Sequence, residues 1–454
     1  MTDYEAVPYA GLPIATAHPW RLAWTSFVHG GPRPDLSRAR VLELGCGDGA
    51  TALAIAAWEP SWTVHGVDAS PRAIADAQRA RVPNATFECA DLASAAVAPG
   101  AWDVVIAHGL YSWIDADRRA ALRRLIRRAL SPGGLAYVSF NALPAWAVRG
   151  RVRDALVRRA GDDAKALLER LDALTPPNLW GGLLGHELKR ARGARDDYFA
   201  HEYLAGHNDA FWVGDFARDA EADGLRWIGD AQFDLPEGQP CEGIKAALAV
   251  DGMRGEELAD LAGYRQFRCA VLALEPRGRP AADREILDAA FVSGVASPAR
   301  EAFLLDAGVE ETMTCAGGLE LRVDTALSKA ALVELARIHP DGLRMAELVP
   351  RARALLAARR VSEGPDDERT LAEGVLRVWR AGGLQMRLHK PRVSAEGSAA
   401  CAFSRYEASL RSMLSTPLGV TLSLSPADLA AVAGSPSVAD PVLRSTLGRW
   451  GLLS

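Results

Sequence analysis

The sequence predicts an α/β protein with a doubly wound sheet and a helical insertion, followed by a mainly helical, winged-helix-like domain. Three observations support this fold class. Short apolar runs alternate with amphipathic patterns over residues 40–141, at the spacing of strand–helix units. The alternation gives way to helical pattern at about 145–207 and then resumes. After a segment rich in Pro, Gly and Arg at 276–284, most of the remaining pattern is helical.

The elements of the first segment follow in order. RVLELG, TVHGVD, ATFECAD, WDVVIAHG and LAYVSFN are predicted strands, with helices at ATALAIAAW, SPRAIADAQRA and RRAALRRLIRRAL between them. Ser70 is placed to cap the second helix, which Pro71 opens. The third helix carries apolar residues at i, i+3, i+4 and i+7, namely Leu122, Leu125, Ile126 and Ala129. SPGG at 131–134 is expected to end that helix before the next strand.

The later segments complete the predicted domain organisation. Residues 211–233 indicate a helix, a glycine turn and a strand, and residues 265–276 indicate another strand. The insertion at 145–207 would lie over the carboxyl edge of the sheet, where ligands of such sheets bind, so it is a candidate lid. Residues 328–357 predict helix, turn, helix, with a third helix through Val375 and Trp379 and a short strand at 383–388. The predicted parts are an amino-terminal arm (1–34), a catalytic domain (35–277), a winged-helix-like regulatory or interaction domain (285–390) and a carboxyl-terminal segment of unknown role (391–454).

Composition narrows the class of protein. The 454 residues exceed one typical core, and the formal charge of -5 has no block of one sign. The six cysteines form no C-x-x-C pair, so we expect neither a metal site nor a disulfide framework, and a reducing cytoplasmic location. No apolar run reaches the roughly 18 residues of a bilayer span and no signal-peptide pattern begins the chain, so no membrane partner is expected.

A glycine-rich turn and three strand-end carboxylates form the main functional pattern. VLELGCGDG (41–49) is an apolar strand that runs into Gly45, Gly47 and Gly49. Glycines at this turn let a ligand approach the backbone at a helix amino terminus, but their spacing also fits a dinucleotide. Glu43, two residues before the first glycine, suits the cationic amino group of a methionine moiety better than a pyrophosphate. The pattern therefore favours S-adenosylmethionine over NAD.

The next two strands also end in carboxylates. Asp68 closes the second strand, where it can accept hydrogen bonds from both ribose hydroxyls. Asp91 follows the third strand and is placed to accept a hydrogen bond from an adenine amino group. The end of the fourth strand, WDVVIAHG, would pass beneath the sulfonium. Strand ends are more often apolar or small, so three acids together indicate a ligand site.

These motifs resemble the Rossmann-like core of class I S-adenosylmethionine-dependent methyltransferases. ELGCGDG corresponds to motif I, Asp68 to motif II, CADL to the third motif and DVVIAHG to the fourth. The phrases VIAHGLYSWI, LAYVSFNALPAW, HEYL and YRQFRCAVL resemble the subset that carries a "methyltransferase regulatory domain", to which rickettsial protein lysine methyltransferases belong. The resemblance implies S-adenosyl-L-methionine as cofactor, held by Glu43, Gly45, Cys46, Gly47, Gly49, Asp68, Ala69, Asp91, Leu92, His108 and Gly109.

The methyl acceptor is expected beyond the fourth and fifth strands. Methyl transfer from a sulfonium is an in-line displacement, so the protein mainly aligns the nucleophile and excludes water. Aromatic rings there can hold a cationic amine, and titratable side chains can move a proton. The candidate catalytic residues are His108, Tyr111, Trp113, Asn141, His201 and Glu202. The alternative for the aromatic residues is ordinary packing of insertion on sheet, and for His201 and Glu202 it is an exposed helix end.

Three functions fit these residues. The first is an N-methyltransferase acting on an amine, with protein lysine favoured by the resemblance. The second is a small-molecule N-, O- or S-methyltransferase of secondary metabolism. The third is a cofactor-binding regulatory protein without catalysis. The winged-helix-like unit carries arginines but also Glu347, and no arm or tail is strongly basic, so we expect no nucleic-acid partner and favour protein contacts, a homodimer included.

Overall fold

The structure is a computed structural model of the chain. The residues that it describes are 11–159, 164–176, 178–232, 250, 252–299, 303–315, 318–339, 341–390, 402–410, 413–416, 421–434, 440, 443–444, 447 and 452.

The described residues divide into two compact units, which we treat separately. The first unit comprises those of Met1–Leu12, Ser37–Asp230 and Ile244–Pro276. The second comprises those of Pro13–Leu36, Ala231–Gly243 and Arg277–Ser454. The boundaries that the sequence predicts for four parts of the chain stay predictions.

The first unit is built on one mixed sheet with the strand order β3-β2-β1-β4-β5-β8-β7. The first five strands are parallel, whereas β8 is antiparallel to both β5 and β7. A short strand, β6, runs parallel to the end of β5. The strands are β1 (Arg40–Leu44), β2 (Thr63–Asp68), β3 (Ala85–Cys89), β4 (Trp102–Ala107), β5 (Leu130–Ala142), β6 (Ala210–Phe211), β7 (Arg226–Asp230) and β8 (Phe267–Ala273).

Helices connect these strands as the sequence predicts. Ser70 caps α3, since its Oγ accepts a hydrogen bond from the N–H of Ala73 at 3.1 Å. The four apolar residues predicted for the inner face of α4 are all buried. The helices outside the insertion are α2 (Ala50–Trp58), α3 (Pro71–Gln78), α4 (Ala116–Ala129), α9 (Val213–Ala222) and α10 (Gly252–Ala262), and α1 lies in the second unit.

One boundary differs from the prediction. α4 ends at Ala129 and β5 begins directly at Leu130, so SPGG lies inside the strand instead of in a loop. Leu130 pairs with Trp102 of β4, and the register then shifts before Leu135 pairs with Val104. Gly133 provides the local bend with a φ of 76°. The irregular pairing explains why a turn sequence remains in the sheet.

The predicted helical insertion is present as four helices with a small core of their own. They are α5 (Ala147–Arg159), α6 (Ala164–Leu174), α7 (Leu179–Arg192) and α8 (Asp196–Tyr203). Leu156, Leu168, Leu188 and Tyr203 are among the buried residues that they share. The fold class predicted for this part of the chain is therefore confirmed, while the role of the insertion as a lid stays a prediction.

The second unit contains the predicted helix–turn–helix, third helix and short strand. Strand β13 pairs antiparallel with β9, and Trp24 of α1 packs edge-on against Trp379 of α14 with ring centroids 5.6 Å apart. Its helices are α1 (Pro19–Val28), α11 (Asp283–Ala289), α12 (Ala326–Ile338), α13 (Met345–Arg359), α14 (Asp367–Arg380), α15 (Ala402–Leu410) and α16 (Pro426–Gly434). Its strands are β9 (Phe291–Ser293), β10 (Ala296–Pro298), β11 (Glu311–Cys315), β12 (Glu320–Val323), β13 (Gln385–Arg387), β14 (Met413–Ser415) and β15 (Thr421–Ser423). Among the described helices of both units, none is long and apolar enough to cross a membrane.

Candidate functional site

The glycine turn between β1 and α2 has the backbone that its sequence predicts. Gly45, Gly47 and Gly49 have φ values of 71°, 53° and 75°. A Cβ at Gly49 would lie 2.9 Å from the ring of Phe87, so this position excludes a side chain. A Cβ at Gly47 would meet nothing within 4 Å, which leaves open space beside the backbone. The turn therefore fits the close approach of a ligand.

Glu43 forms a hydrogen bond within the protein, to the start of α2. Its side chain is buried, and Oε2 accepts a hydrogen bond from the N–H of Ala52 in the first turn of α2 at 2.8 Å. A carboxylate at this place stabilises the amino terminus of the helix. Burial, with Glu43 and Asp68 nearby, raises the pKa of the Cys46 thiol well above its usual value, so Cys46 is no nucleophile at neutral pH. Contact of Glu43 with a ligand amino group stays a prediction.

Asp68 links the end of β2 to the glycine turn. Its Oδ2 accepts from the N–H of Gly47 at 2.8 Å and its Oδ1 from the N–H of Ser70 at 2.9 Å. Ala69 between them is exposed, and Asp68 is only half-buried. Each carboxylate oxygen has a second lone pair, so both remain able to accept from ribose hydroxyls. The geometry fits the predicted role of Asp68.

Two further carboxylates are Asp91, which follows β3, and Asp48, which lies within the glycine turn. Asp91 is exposed after β3, where Oδ1 accepts from the N–H of Ala93 at 2.9 Å, and the neighbouring Leu92 is half-buried. Asp48, which the sequence analysis missed, accepts a hydrogen bond from the N–H of Gly11 at 3.2 Å. The position of Asp48 between Gly47 and Gly49 is the sequence feature that could have identified it. Carboxylates at 43, 48 and 68 surround the turn with negative charge, which suits a cationic cofactor.

His108 lies at the end of β4 and contacts side chains of β5 and β8. Its Nδ1 is 3.1 Å from Oη of Tyr137, and that hydroxyl donates to Sγ of Cys269 at 3.2 Å. Nδ1 is then the donor to Tyr137, and Nε2 carries the lone pair. Burial lowers the pKa of His108 to about 4, so the imidazole is uncharged at neutral pH. The next residue, Gly109, is fixed by donation from its N–H to Oγ of Ser139 at 2.8 Å.

The lowered pKa of His108 predicts a dependence of stability on pH. A folded-state pKa of about 4 lies below the unfolded value of about 6.5, so the folded protein binds fewer protons between these values. The stability contributed by the neutral ring is complete above pH 6.5 or so and is lost as the pH falls toward 4. Between pH 7 and pH 5 we expect a loss of up to about 2 kcal/mol that His108→Gln removes.

Denaturant unfolding at the two pH values measures this difference. His207 is exposed, so His207→Gln is a matched control that should behave as the wild type does. An equal loss of stability in wild type and His108→Gln would show that His108 titrates alike in both states.

Tyr111 belongs to the core, which corrects its assignment to the acceptor site. Its side chain is 1% exposed, and its ring packs against Phe211 and Phe216 with centroids 5.2 and 5.1 Å away. The hydroxyl accepts a hydrogen bond from Nη1 of Arg123 at 2.7 Å. No ring face is left to hold an amine, so the packing alternative applies. Trp113, by contrast, is half-buried and donates from Nε1 to the carbonyl of His201 at 3.3 Å.

The predicted residues of α8 are buried, which excludes the alternative of an exposed helix end. His201 and Glu202 are each 5% exposed. The Glu202 carboxylate accepts from Nη1 of Arg149 at 3.2 Å, and Nε of Arg149 also donates to Glu187 at 3.1 Å. Arg149 therefore joins Glu202 of α8 to Glu187 of α7 in one buried ion-pair cluster. The predicted role of Glu202 as a proton acceptor stays a prediction.

Asn141 ends β5 among polar contacts that join the insertion to the sheet. Its N–H donates to Oγ of Ser112 at 2.9 Å and its Nδ2 donates to Oδ1 of Asn208 at 2.6 Å. Asn208 in turn donates from Nδ2 to the backbone carbonyl of Glu202 at 2.7 Å. The sequence analysis missed Asn208, since nothing in the local pattern HNDAF marks a polar residue that becomes buried.

The predicted site residues thus form two groups within the first unit. The ends of β1 and β2 and the glycine turn carry Glu43, Asp68 and the three glycines. The ends of β4 and β5 carry His108 and Asn141. The carboxylates suit a cationic cofactor, and the second group is polar and uncharged.

Two known families match parts of the first unit. The family described as "Methyltransferase domain" matches residues 41–134, which run from β1 to the start of β5. Residues 41–134 therefore carry a methyltransferase domain. A second family, "Predicted methyltransferase regulatory domain", matches residues 195–273. This second match covers α8 of the insertion as well as β6, β7 and β8, so it includes three strands of the sheet. It ends before 285–390, for which a regulatory role stays a prediction.

Several known proteins are similar to this chain. Uncharacterized protein RP789 of Rickettsia prowazekii is 27% identical over 290 residues, which are 59% of this chain and 52% of that protein. The chain thus spans about half the length of this relative. Trans-aconitate 2-methyltransferase of Methylobacterium nodulans is 37% identical over 101 residues, 22% of this chain and 38% of that protein. PKMT2 from Rickettsia typhi in complex with AdoHcy superposes with a TM-score of 0.81 at 19% identity, covering 97% of this chain and 91% of that one.

Proposed function

We propose that the protein is an S-adenosylmethionine-dependent methyltransferase that methylates an amine nitrogen, with the lysine side chain of a protein as acceptor. The observation that carries the proposal is the uncharged polar group at the ends of β4 and β5, where His108 and Asn141 lie. An amine attacks only through its lone pair, so it must arrive without its extra proton. A buried site without net charge disfavours an ammonium and lowers its pKa. The resemblance to rickettsial protein lysine methyltransferases supports lysine as the amine.

The residues of the chain have separate tasks in this reaction. S-adenosylmethionine supplies an electrophilic methyl group on a sulfonium, and the nitrogen displaces the thioether of S-adenosylhomocysteine. Asp68 and the glycine turn would hold the cofactor, with Glu43 behind the turn. His108, neutral and fixed by Tyr137, would line the path without repelling the amine. The proton lost by the nitrogen would pass to solvent, since Glu202 is held by Arg149.

Of the two aromatic residues predicted for the acceptor site, Trp113 is half-buried and Tyr111 is buried, so Trp113 is the one placed to contact the acceptor. The face of an indole ring attracts cations, so it can hold the substrate ammonium before its proton leaves. Its Nε1 hydrogen bond to the His201 carbonyl would orient the ring. His201 itself would then act through its backbone.

A small-molecule acceptor is the second candidate, because the relative trans-aconitate 2-methyltransferase acts on one. That similarity spans only 101 residues, so it does not favour a small-molecule acceptor over a protein acceptor. The regulatory-domain match and the four-helix insertion lie outside the methyltransferase-domain match and favour a larger substrate.

Radiolabel partition tests the class of acceptor. Incubation with methyl-labelled S-adenosylmethionine and a lysate of the source cells should place label in the protein fraction. Trp113→Ala should lower this incorporation by about tenfold, because attraction between the ring and the desolvated substrate ammonium contributes about 1–2 kcal/mol. Its affinity for S-adenosylhomocysteine should stay unchanged. Label found in small molecules alone would overturn the protein substrate and leave the second candidate.

A further inference from the structure

The two linked asparagines at the end of β5 have only one possible orientation. The carbonyl oxygen of Glu202 can only accept, so Asn208 must present its NH2 group to it. Oδ1 of Asn208 then faces Asn141, which must present its own NH2 group in return. The 2.6 Å and 2.7 Å distances of these bonds leave no freedom for either amide to flip. The side-chain oxygen of Asn141 is therefore directed away from Asn208.

That oxygen has no partner within the described part of the chain. The hydrogen bonds of Asn141 use its N–H and its Nδ2, and none reaches Oδ1 from a described residue. Asn141 is 2% exposed and Asn208 is 4% exposed, so the pair is almost fully buried. An amide oxygen without a protein donor is free to accept a hydrogen bond from a ligand. Such a group suits a ligand that supplies the missing donor.

The strand pattern places this oxygen on the face that carries His108. Side chains alternate along a strand, so Tyr137, Ser139 and Asn141 lie on one face of β5. Tyr137 contacts the His108 ring and Ser139 accepts from the N–H of Gly109. The other face carries Val138 and Phe140, which belong to the apolar core.

The neighbouring strand gives the same placement independently. Asn141 pairs with Phe267 of β8, and paired residues of adjacent strands lie on the same side of a sheet. The Phe267 ring lies 5.8 Å from the ring of His108, centroid to centroid. Asn141 is thus beside the end of β4, where the acceptor nitrogen is expected.

We propose that Oδ1 of Asn141 accepts an N–H of the acceptor amine and that Asn208 is the positioning residue that directs this oxygen. The inference rests on the proposed function, since it requires an amine with an N–H to donate. With one N–H held by Asn141, the lone pair of the nitrogen has a fixed direction. An amide oxygen accepts from the amine without adding charge, so it does not favour the ammonium as a carboxylate would.

A double-mutant cycle tests whether Asn208 acts through Asn141. The acceptor is the protein fraction of the lysate, titrated at saturating S-adenosylmethionine so that apparent kcat and KM separate. Asn141→Ala should lower kcat by about 100-fold and Asn208→Ala by about tenfold, since a misdirected nucleophile loses alignment. Asn208→Ala should cost nothing further in the Asn141→Ala background. Affinity for S-adenosylhomocysteine should stay within about twofold of wild type in all three variants.

A carboxylate variant provides a readout that a purely structural role would not move. Asn141→Asp should shift the pH–rate profile upward, because a negative charge beside the bound amine raises the pKa of its ammonium. The matched control is Asn178→Ala, which removes the cap of α7 at the exposed start of that helix and should leave kcat unchanged. If Asn141→Ala does not bind S-adenosylhomocysteine, Asn208→Ala and Asn141→Asp still test the proposal.

The outcomes separate the inference from the function on which it rests. Additive losses in the double mutant, or a kcat of Asn141→Ala within about twofold of wild type, would overturn the role of both asparagines while the methyltransferase reaction stands. An unshifted pH profile in Asn141→Asp would do the same. A wild-type enzyme that places no label on protein would overturn the proposed function instead, together with the amine that Asn141 is to bind.

Discussion

Replacement of Asp68 by Ala should weaken the binding of S-adenosylhomocysteine by at least about tenfold, since hydrogen bonds to a charged group contribute about 1.5–3 kcal/mol each. Two effects combine. The ribose hydroxyls lose their carboxylate acceptor, and the N–H groups of Gly47 and Ser70 lose theirs. The second loss frees the glycine turn, whose left-handed backbone forms the site. Isothermal titration calorimetry measures the affinity directly.

Asp76→Ala is the matched control for this experiment. Asp76 lies on α3 and pairs with Arg79 at 2.6 Å on the surface, so its loss should leave the affinity unchanged. NAD should give no heat of binding with either protein. Equal affinities of wild type and Asp68→Ala would place the cofactor elsewhere.

Removal of Arg268 should have the largest effect on stability. The side chain is fully buried and bonds to Asp260 at 2.7 and 3.0 Å and to Glu256 at 2.8 Å, with Asp230 at 3.4 Å. Arg268→Ala would leave these carboxylates buried with less positive charge. Breaking a buried pair by removing one partner costs about 3–5 kcal/mol. Because β8 lies between β5 and β7, we expect the loss to affect the whole sheet.

The free energies of unfolding of Arg268→Ala and Arg226→Ala, measured by denaturant titration, test this prediction. Arg226 lies on β7 and pairs with Glu221 at the surface, so its removal should change the free energy of unfolding by less than about 1 kcal/mol. A loss of similar size in both variants would mean that the buried charges do not stabilise the sheet.

The fold was predictable wherever local pattern decides structure. The strands and helices of residues 40–141 follow from apolar periodicity and from signals such as Ser70 and Pro71, which act over a few residues. The position at which β5 begins was not predictable, because Leu130 joins the sheet by pairing with Trp102, a residue of another strand. The antiparallel direction of β8 likewise depends on its partners rather than on its own sequence.

The part of the site that could be predicted is the part where a sequence motif lies at the end of a strand. Asp68 and the glycines take the places that the motif implies, since a strand and its following turn are local. Tyr111 and Glu202 have different surroundings from those expected, because Phe216 and Arg149 reach them across the fold. The link between Asn141 and Asn208 spans 67 residues, and no single-sequence pattern reports it.

The identity of the methylated atom tests the central claim most directly. Protein labelled with methyl-labelled S-adenosylmethionine by the wild-type enzyme is hydrolysed in acid, and the amino acids are separated by chromatography. The account predicts label in methylated lysine, reduced by at least about tenfold when Asp68→Ala replaces the wild type at limiting cofactor. Label that is released by mild alkali as methanol would instead identify a carboxylate ester and would contradict an amine acceptor.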